Sequence, residues 1–261
     1  MRCIVRTSGR RRRTAGSTAT VERARRRCAS GRRRTAARGP CMLRRTAVQV
    51  LLLDLDETLY PRGNGVLRRI DGRINSFMTD RLGFDPAAVD AARETLCARW
   101  GTTMRGLLET HALDLDDYLQ HCHGVDLSDL LGPDPRLRGL LERVPLRKAV
   151  LTNAPRRHAH QVLHLLGIAD LMERVLALED IGYVPKPAPS AFAAATAALG
   201  VPPGECVFVD DMLASVRAAA DCGLHAVWLA SPGAAVPDDA RHHVVRDVHE
   251  IEGLLGRLLP G

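Results

Sequence analysis

Five short apolar runs alternate with segments of helical periodicity, and this alternation restricts the possible folds more than any other feature of the chain. The runs are VQVLLLD (48–54), RKAVLTN (147–153), ERVLALE (173–179), ECVFVDD (205–211) and HAVWLA (225–230). Helices are expected between them at 135–143, 155–167, 187–199 and 212–222, the first with Asp134 as its N-cap and Pro135 at its first position. The pattern predicts an α/β fold with a Rossmann-like parallel sheet.

More than 90 residues separate the first two runs, which is too long for a simple crossover helix. This segment shows helical periodicity in GVLRRIDGRINSFMTDRL, DPAAVDAARETLCARW, TTMRGLLETH and DLDDYLQHC, and it has no strand signal. It therefore predicts a helical subdomain inserted after the first strand. We assign residues 62–133 to the insertion, and residues 45–61 and 134–261 to the sheet domain.

The basic charge of the chain is concentrated in residues 1–44, which we call the head. Residues 1–42 hold 14 arginines and one acid of the chain's 37 basic and 30 acidic residues, which leaves 23 basic and 29 acidic residues for the rest. The head is low in complexity and is expected to be disordered. Three interpretations stay open: a nucleic-acid-binding arm, an organelle transit segment, or an extension upstream of a true start at Met42.

The body of the protein carries net negative charge, so nucleic acid is an expected partner only through the head. The head lacks the apolar stretch of a secretory signal, and no run has the length of a membrane span. We expect a soluble, cytoplasmic protein without a membrane partner, with organelle targeting by the head as the alternative. The seven cysteines are odd in number and form no CxxC pair, which favours reduced thiols.

Polar side chains stand at the ends of three of the predicted strands. Asp54 and Asp56 end the first, Thr152 and Asn153 the second, and the pair 210–211, both Asp, the fourth. Because parallel strands share one carboxyl edge, where ligands bind, these groups are expected to form one site. Clustered carboxylates need a counter-ion, and all-oxygen ligation of Mg²⁺ supplies one. Any single Asp here would also suit a helix or turn cap.

The motifs DLDET, LTN, PKP and VDD resemble, in order and spacing, the four motifs of the haloacid dehalogenase superfamily of phosphohydrolases. The insertion lies where that superfamily places its helical cap, and we therefore call residues 62–133 the cap. DETLYP, WGTTMRGL, HCHG, PDPRLRGLL, PLRKAVLTNA and KPAPSAF are similar to the pyrimidine 5′-nucleotidase branch. The resemblance implies a Mg²⁺-dependent phosphatase.

The resemblance also implies a role for each matching residue. Asp54 would attack phosphorus to form an aspartyl-phosphate, and Asp56 would protonate the leaving oxygen and then deprotonate water. Thr152, through its hydroxyl, and Asn153, through its backbone N–H, would bind phosphate oxygens, and Lys186 would balance negative charge in the transition state. Dehalogenase members lack a carboxylate at the position of Asp56, so its presence favours phosphoryl chemistry.

By the same resemblance, Mg²⁺ would be held by the side chains of Asp54 and Asp211 and by the backbone carbonyl of Asp56, with Asp210 assisting. The substrate would be a small phosphomonoester, and the cap likeness favours a nucleotide, UMP or CMP. Contacts from the cap would come from Gly101, Thr102 and Thr103. A small sugar or metabolite phosphate is the alternative substrate.

Two other classes of protein would account for fewer of these features. A receiver domain also collects acids, a Thr and a Lys at strand ends but has no long insertion after its first strand. A non-enzymatic nucleic-acid-binding protein with an arginine arm would not need intact acids. Histidines elsewhere lack the spacing of metal ligands. We expect His160 and His164 to be exposed on a helix or to cap it, and HCHG (121–124) to be part of the cap structure. We expect His242, His243 and His249 to lie in a surface segment.

Overall fold

A six-stranded parallel sheet forms the centre of the protein in a computed structural model, which describes residues 47–238 and 241–258. The prediction of a disordered head at 1–44 lies outside the described residues. The strand order is β3-β2-β1-β4-β5-β6, and every neighbouring pair is parallel. The strands are β1 (Val50–Leu53), β2 (Arg147–Leu151), β3 (Arg174–Leu176), β4 (Cys206–Asp210), β5 (His225–Leu229) and β6 (His242–Val245). The predicted α/β fold with a parallel sheet is confirmed.

Helices cover both faces of the sheet. In β1, Val50 and Leu52 face one apolar cluster, and Leu51 and Leu53 face the other, as strand alternation requires. The first cluster includes residues of α7 (Pro189–Leu199) and α8 (Leu213–Asp221), and the second includes residues of α5 (Pro135–Arg143), α6 (Arg156–Leu165) and α9 (Ile251–Leu258). A strand buried on both faces must be apolar at every position, which explains why β1 reads VLLL.

Four helices lie between β1 and α5, within residues 62–133, where the sequence predicts the cap. They are α1 (Val66–Leu82), α2 (Val89–Trp100), α3 (Thr103–Thr110) and α4 (Leu115–His123). Phe77 of α1 packs edge-to-face on Tyr118 of α4, with ring centroids 5.2 Å apart. HCHG lies at the end of α4, where Cys122 is buried, so its prediction as cap structure is confirmed.

Predicted helix starts agree with the structure where capping chemistry is clear. Asp134 caps α5 by accepting hydrogen bonds from the backbone N–H groups of Arg136 and Leu137, and Pro135 is the first helical residue. His160 and His164 are exposed on α6, as predicted. No helix within the described ranges is both long and apolar enough to cross a bilayer.

The predicted surface segment at the C-terminal end is wrong in part. His242 is buried in β6, with its ring centroid 6.2 Å from that of Trp228, while His243 is exposed. The edge strand HHVV lacks the apolar run that marks the other strands, so its pairing with β5 is not visible in the sequence. The helix α9 was likewise not predicted.

Candidate active site

The adjacent strands β2, β1 and β4 bring their polar carboxyl ends to one edge of the sheet. Asp54 directly follows β1, Thr152 directly follows β2, and Asp210 is the last residue of β4. The backbone N–H of Asp54 still donates to the carbonyl oxygen of Val209, at 2.8 Å, so the sheet fixes the start of the loop that carries this side chain. The predicted convergence of these strand ends is therefore present.

Three carboxylates form a buried cluster at this edge. Asp54, Asp210 and Asp211 each offer an oxygen within 4.8 Å of the others. Burial and the neighbouring charge of Asp54 raise the pKa of Asp211 to about 6, and the same two causes raise the pKa of Asp210. Burial and the repulsion between neighbouring carboxylates thus disfavour three negative charges at this edge, and a hard divalent cation with oxygen ligands would offset them. The donor set thus fits Mg²⁺.

Lys186 lies against two of these acids and is 4% exposed. Its Nζ is 2.6 Å from Oδ1 of Asp54 and 2.7 Å from Oδ2 of Asp210. Burial lowers the pKa of Lys186, but Asp210 and Asp54 outweigh burial, so the net pKa is raised and the cation is retained. A lysine between two prolines in the sequence is therefore a buried counter-ion in the fold.

Asn153 holds the loop that carries Lys186. Its Oδ1 accepts from the backbone N–H of Lys186 at 2.7 Å, and its Nδ2 donates to the backbone carbonyl of Lys186 at 3.0 Å. Thr152 is buried and accepts from the backbone N–H of Ala154 at 3.0 Å, which leaves its hydroxyl proton free to donate. The side chain of Asn153 thus has a structural role that the sequence did not predict.

Asp56 is held apart from the acidic cluster. Its Oδ1 accepts hydrogen bonds from Oη of Tyr60, at 2.6 Å, and from Nε2 of His158, at 2.7 Å. Burial raises the pKa of Asp56, but the charge and hydrogen bond of His158 and the hydrogen bond of Tyr60 outweigh burial, so the net pKa is lowered. The two aspartates of the DLDET motif therefore have different surroundings, since Asp54 contacts Lys186 and Asp56 contacts His158 and Tyr60.

The loop after β1 contributes further contacts that the motif comparison missed. Thr58 donates to Oδ2 of Asp54 at 2.9 Å, so both oxygens of Asp54 are bound by the protein. Arg62 forms ion pairs with Asp211 and with Glu57, the latter at 3.2 Å. The sequence signal for Glu57, Thr58 and Arg62 is only their position in DETLYPR, three to eight residues after Asp54. His158 has no such signal, since it lies 102 residues after Asp56.

Gly101, Thr102 and Thr103 lie between the cap and the sheet domain. All three line a cleft of about 240 Å³ that Asn153 also lines. Thr102 is the N-cap of α3 and accepts from the backbone N–H of Arg105 at 3.1 Å, and the hydroxyl of Thr103 is 3.3 Å from Sγ of Cys97. These residues thus border the crevice, and the two hydroxyls also serve the cap's own structure.

Comparisons with known proteins agree with the family that the motifs indicate. A family model described as haloacid dehalogenase-like hydrolase matches residues 48–223. Phosphate metabolism protein 8 of Saccharomyces cerevisiae is 28% identical over 70% of this chain and 62% of its own length. N-acetylmuramic acid 6-phosphate phosphatase of Pseudomonas aeruginosa is 33% identical over 42% of this chain and 47% of its own length. The chain therefore spans less than two thirds of either curated relative.

The fold agrees with these matches. The crystal structure of a HAD phosphatase from Thermococcus onnurineus superposes with a TM-score of 0.59 and 21% identity, covering 80% of this chain and 98% of that one. At this identity the likeness concerns the fold alone. The family match covers about two thirds of the sequence and includes the strand-end acids and Lys186. The chain belongs to the haloacid dehalogenase-like hydrolases.

Proposed function

We propose that the protein hydrolyses phosphomonoesters through an aspartyl-phosphate intermediate on Asp54. The observation that carries this proposal is the contrast between the surroundings of Asp54 and Asp56 in the DLDET motif. Asp54 contacts Lys186 in the acidic cluster, while Asp56 lies outside that cluster and is bound by His158 and Tyr60. Two acids in separate environments suit two roles, one as nucleophile and one as proton carrier.

In the first step an oxygen of Asp54 bonds to phosphorus, and the bond from phosphorus to the leaving oxygen breaks. The negative charge of the bound phosphate raises the pKa of Asp56, which is lowered in the free protein, so that Asp56 takes up a proton and gives it to the leaving oxygen. In the second step Asp56 takes a proton from water as the water oxygen bonds to phosphorus. The bond from phosphorus to Asp54 then breaks and releases inorganic phosphate. Lys186 partly neutralises Asp54, and Thr152 and Asn153 would bind phosphate oxygens beside it.

The side chains of Asp54 and Asp211 and the backbone carbonyl of Asp56, with Asp210 assisting, would hold Mg²⁺. The ion would supply positive charge that offsets the repulsion of the anionic nucleophile and the phosphate. The acidic cluster and its raised pKa values support this assignment. Asp56 favours phosphoryl over carbon–halogen chemistry, because a group that gives and takes a proton is needed when the leaving group is an alkoxide.

The reaction is tested by hydrolysis of p-nitrophenyl phosphate with Mg²⁺ and with EDTA. We expect turnover only with Mg²⁺, and a loss of about 10²–10⁴-fold or more in Asp54→Asn and in Asp56→Asn. Asp116→Asn, which changes an exposed acid of α4, is the control and should keep full activity. Activity of Asp54→Asn within tenfold of the parent would refute the covalent mechanism. Retention of DNA by an inactive parent would support the nucleic-acid-binding alternative.

The substrate class rests on the cap. Motif likeness through WGTTMRGL and HCHG favours UMP and CMP over AMP and GMP. The names of the relatives favour a second candidate, since N-acetylmuramic acid 6-phosphate phosphatase and validoxylamine A 7′-phosphate phosphatase, the latter 33% identical over 33% of this chain, are named for sugar-like phosphates. A panel of phosphomonoesters at equal concentration decides between them by kcat/KM. A value for any sugar phosphate above those for both pyrimidine nucleotides would refute the nucleotidase proposal and leave the phosphatase proposal intact.

A further inference from the structure

His158 is a completely buried histidine in the first turn of α6, and no motif of the sequence marks it. Its side chain is 0% exposed, and its helical neighbours Ala159, Val162 and Leu163 are buried apolar residues. Nδ1 of His158 has no hydrogen-bond partner within the described residues. A buried nitrogen without a partner is unfavourable, so an apolar side chain would serve packing better.

The other ring nitrogen of His158 makes the contact that gives the residue a role. Nε2 is 2.7 Å from Oδ1 of Asp56, and because a carboxylate only accepts hydrogen bonds, Nε2 is the donor. Oη of Tyr60 donates to the same oxygen at 2.6 Å. No hydrogen bond reaches Oδ2 of Asp56 from residues that the structure describes. One oxygen of this carboxylate is thus bound twice, and the other is left open.

The two hydrogen-bond donors to Asp56, Tyr60 and His158, lie in different parts of the fold. Tyr60 belongs to the same loop as Asp56, whereas His158 lies on α6, which begins at Arg156, shortly after Thr152 and Asn153. The hydrogen bond from His158 therefore fixes Asp56 relative to the proposed phosphate-binding residues. The ring of His123 at the end of α4 packs edge-to-face on His158, with centroids 5.3 Å apart, so the cap covers this contact.

We propose that His158 is a positioning residue that, with Tyr60, binds Oδ1 of Asp56 and leaves Oδ2 as the oxygen that gives and takes the proton. This inference rests on the proposed phosphatase function. Oδ2–H protonates the leaving oxygen as its bond to phosphorus breaks, and the resulting Oδ2 anion accepts the proton of the attacking water. Proton transfer depends steeply on donor–acceptor geometry, so an unfixed Asp56 slows the steps that move a proton.

Two amide substitutions distinguish the effect of the hydrogen bond to Asp56 from the effect of a polar side chain at this buried position. The side-chain nitrogen of His158→Gln reaches about the place of Nε2. The side-chain nitrogen of His158→Asn lies near the place of Nδ1, which has no hydrogen-bond partner among the residues that the structure describes. His160→Gln changes an exposed histidine on the same helix and is the matched control. Tyr60→Phe removes the second donor to Oδ1 and provides an independent variant if His158→Asn does not fold.

The test is the phosphorylation rate in rapid mixing, with two leaving groups. Nitrophenolate leaves without a proton, whereas the alkoxide of the best alkyl phosphomonoester in the substrate panel needs one. We expect His158→Asn to slow phosphorylation by the alkyl ester about 10–100-fold and phosphorylation by p-nitrophenyl phosphate less than about threefold. The KM for either ester should change by less than about threefold. His158→Gln should return to within about threefold of the parent, His160→Gln should equal it, and Tyr60→Phe should show the same dependence on leaving group.

Equal losses for both esters, or no recovery in His158→Gln relative to His158→Asn, would overturn the positioning role while the parent's activity upholds the phosphatase proposal. If Tyr60→Phe is the only folded variant, equal losses for both esters in that variant overturn the role in the same way. A parent that hydrolyses no phosphomonoester with Mg²⁺ would overturn both proposals.

Discussion

Replacing Lys186 by Met tests whether this side chain is the counter-ion of the acidic cluster. Lys186→Met keeps an unbranched apolar chain of similar length and removes the charge. The ammonium lost lies 2.6 Å from Asp54 and 2.7 Å from Asp210, whose side chain is 1% exposed. Removing one member of such a buried pair leaves the partner's charge without compensation, which costs about 3–5 kcal/mol of unfolding free energy. For a domain of this size the melting temperature falls by about 6–20 °C.

The loss of stability in Lys186→Met depends on pH, because protonation of Asp210 removes the negative charge that Lys186 otherwise balances. Burial already raises the pKa of Asp210, and Lys186 opposes that shift, so removing Lys186 raises the pKa further. A carboxyl group with a raised pKa in the folded state binds its proton at a pH where the unfolded chain has released it. The penalty in Lys186→Met is therefore small at pH 5, where the folded protein takes up the proton, and grows toward pH 8.

The assay is thermal unfolding of parent and variant in EDTA at pH 5 and at pH 8. Lys148→Met, which changes the only other lysine of the chain, a half-buried residue of β2, is the matched control. We expect Lys148→Met to lower the melting temperature less than Lys186→Met at pH 8 and by similar amounts at both pH values. The same loss at pH 5 and pH 8 for Lys186→Met, or a loss no larger than that of the control, would refute the counter-ion argument.

Two further predictions concern the metal and the head. Burial and Asp54 raise the pKa of Asp211 to about 6, so protons and Mg²⁺ compete for this carboxylate below that pH. Stability without metal should then fall as the pH rises from 4 to 7, and Mg²⁺ should raise the melting temperature more at pH 8 than at pH 5. This difference should be smaller in Asp211→Asn, where Asp210 alone of the pair still exchanges a proton for the metal. A protein that begins at Met42 should hydrolyse phosphomonoesters with unchanged kcat and KM, because the family match begins at residue 48. A lower kcat in the shortened protein would contradict this prediction and show that the head contributes to the reaction.

The residues at strand ends were predictable because two local rules act on them. Apolar runs of strand length indicate a buried parallel sheet, and parallel strands place their carboxyl ends together. Asp54, Thr152 and Asp210 follow from these rules without any knowledge of pairing order. Lys186 follows only from motif likeness, since nothing local distinguishes a buried lysine from a solvated one.

The elements and contacts that were missed depend on partners distant in sequence. The edge strand β6 becomes a strand by pairing with β5, and its histidines carry no apolar pattern of their own. His158 lies in a helix that is recognisable from its periodicity, but its contact with Asp56 joins residues 102 positions apart. Periodicity predicts which face of α6 is buried and does not predict which side chain that face meets.

The sequence by itself determined the fold class, the place of the insertion and the acids at the strand ends, because these depend on spacing and apolar pattern along one stretch of chain. The tertiary structure decided the environment of each acid. Asp54 and Asp56 are two residues apart, yet one lies against Lys186 and the other against His158. Charge and proton affinity depend on distances of a few ångströms, and only the packing of α6 and the loop of Lys186 onto the strand ends sets those distances.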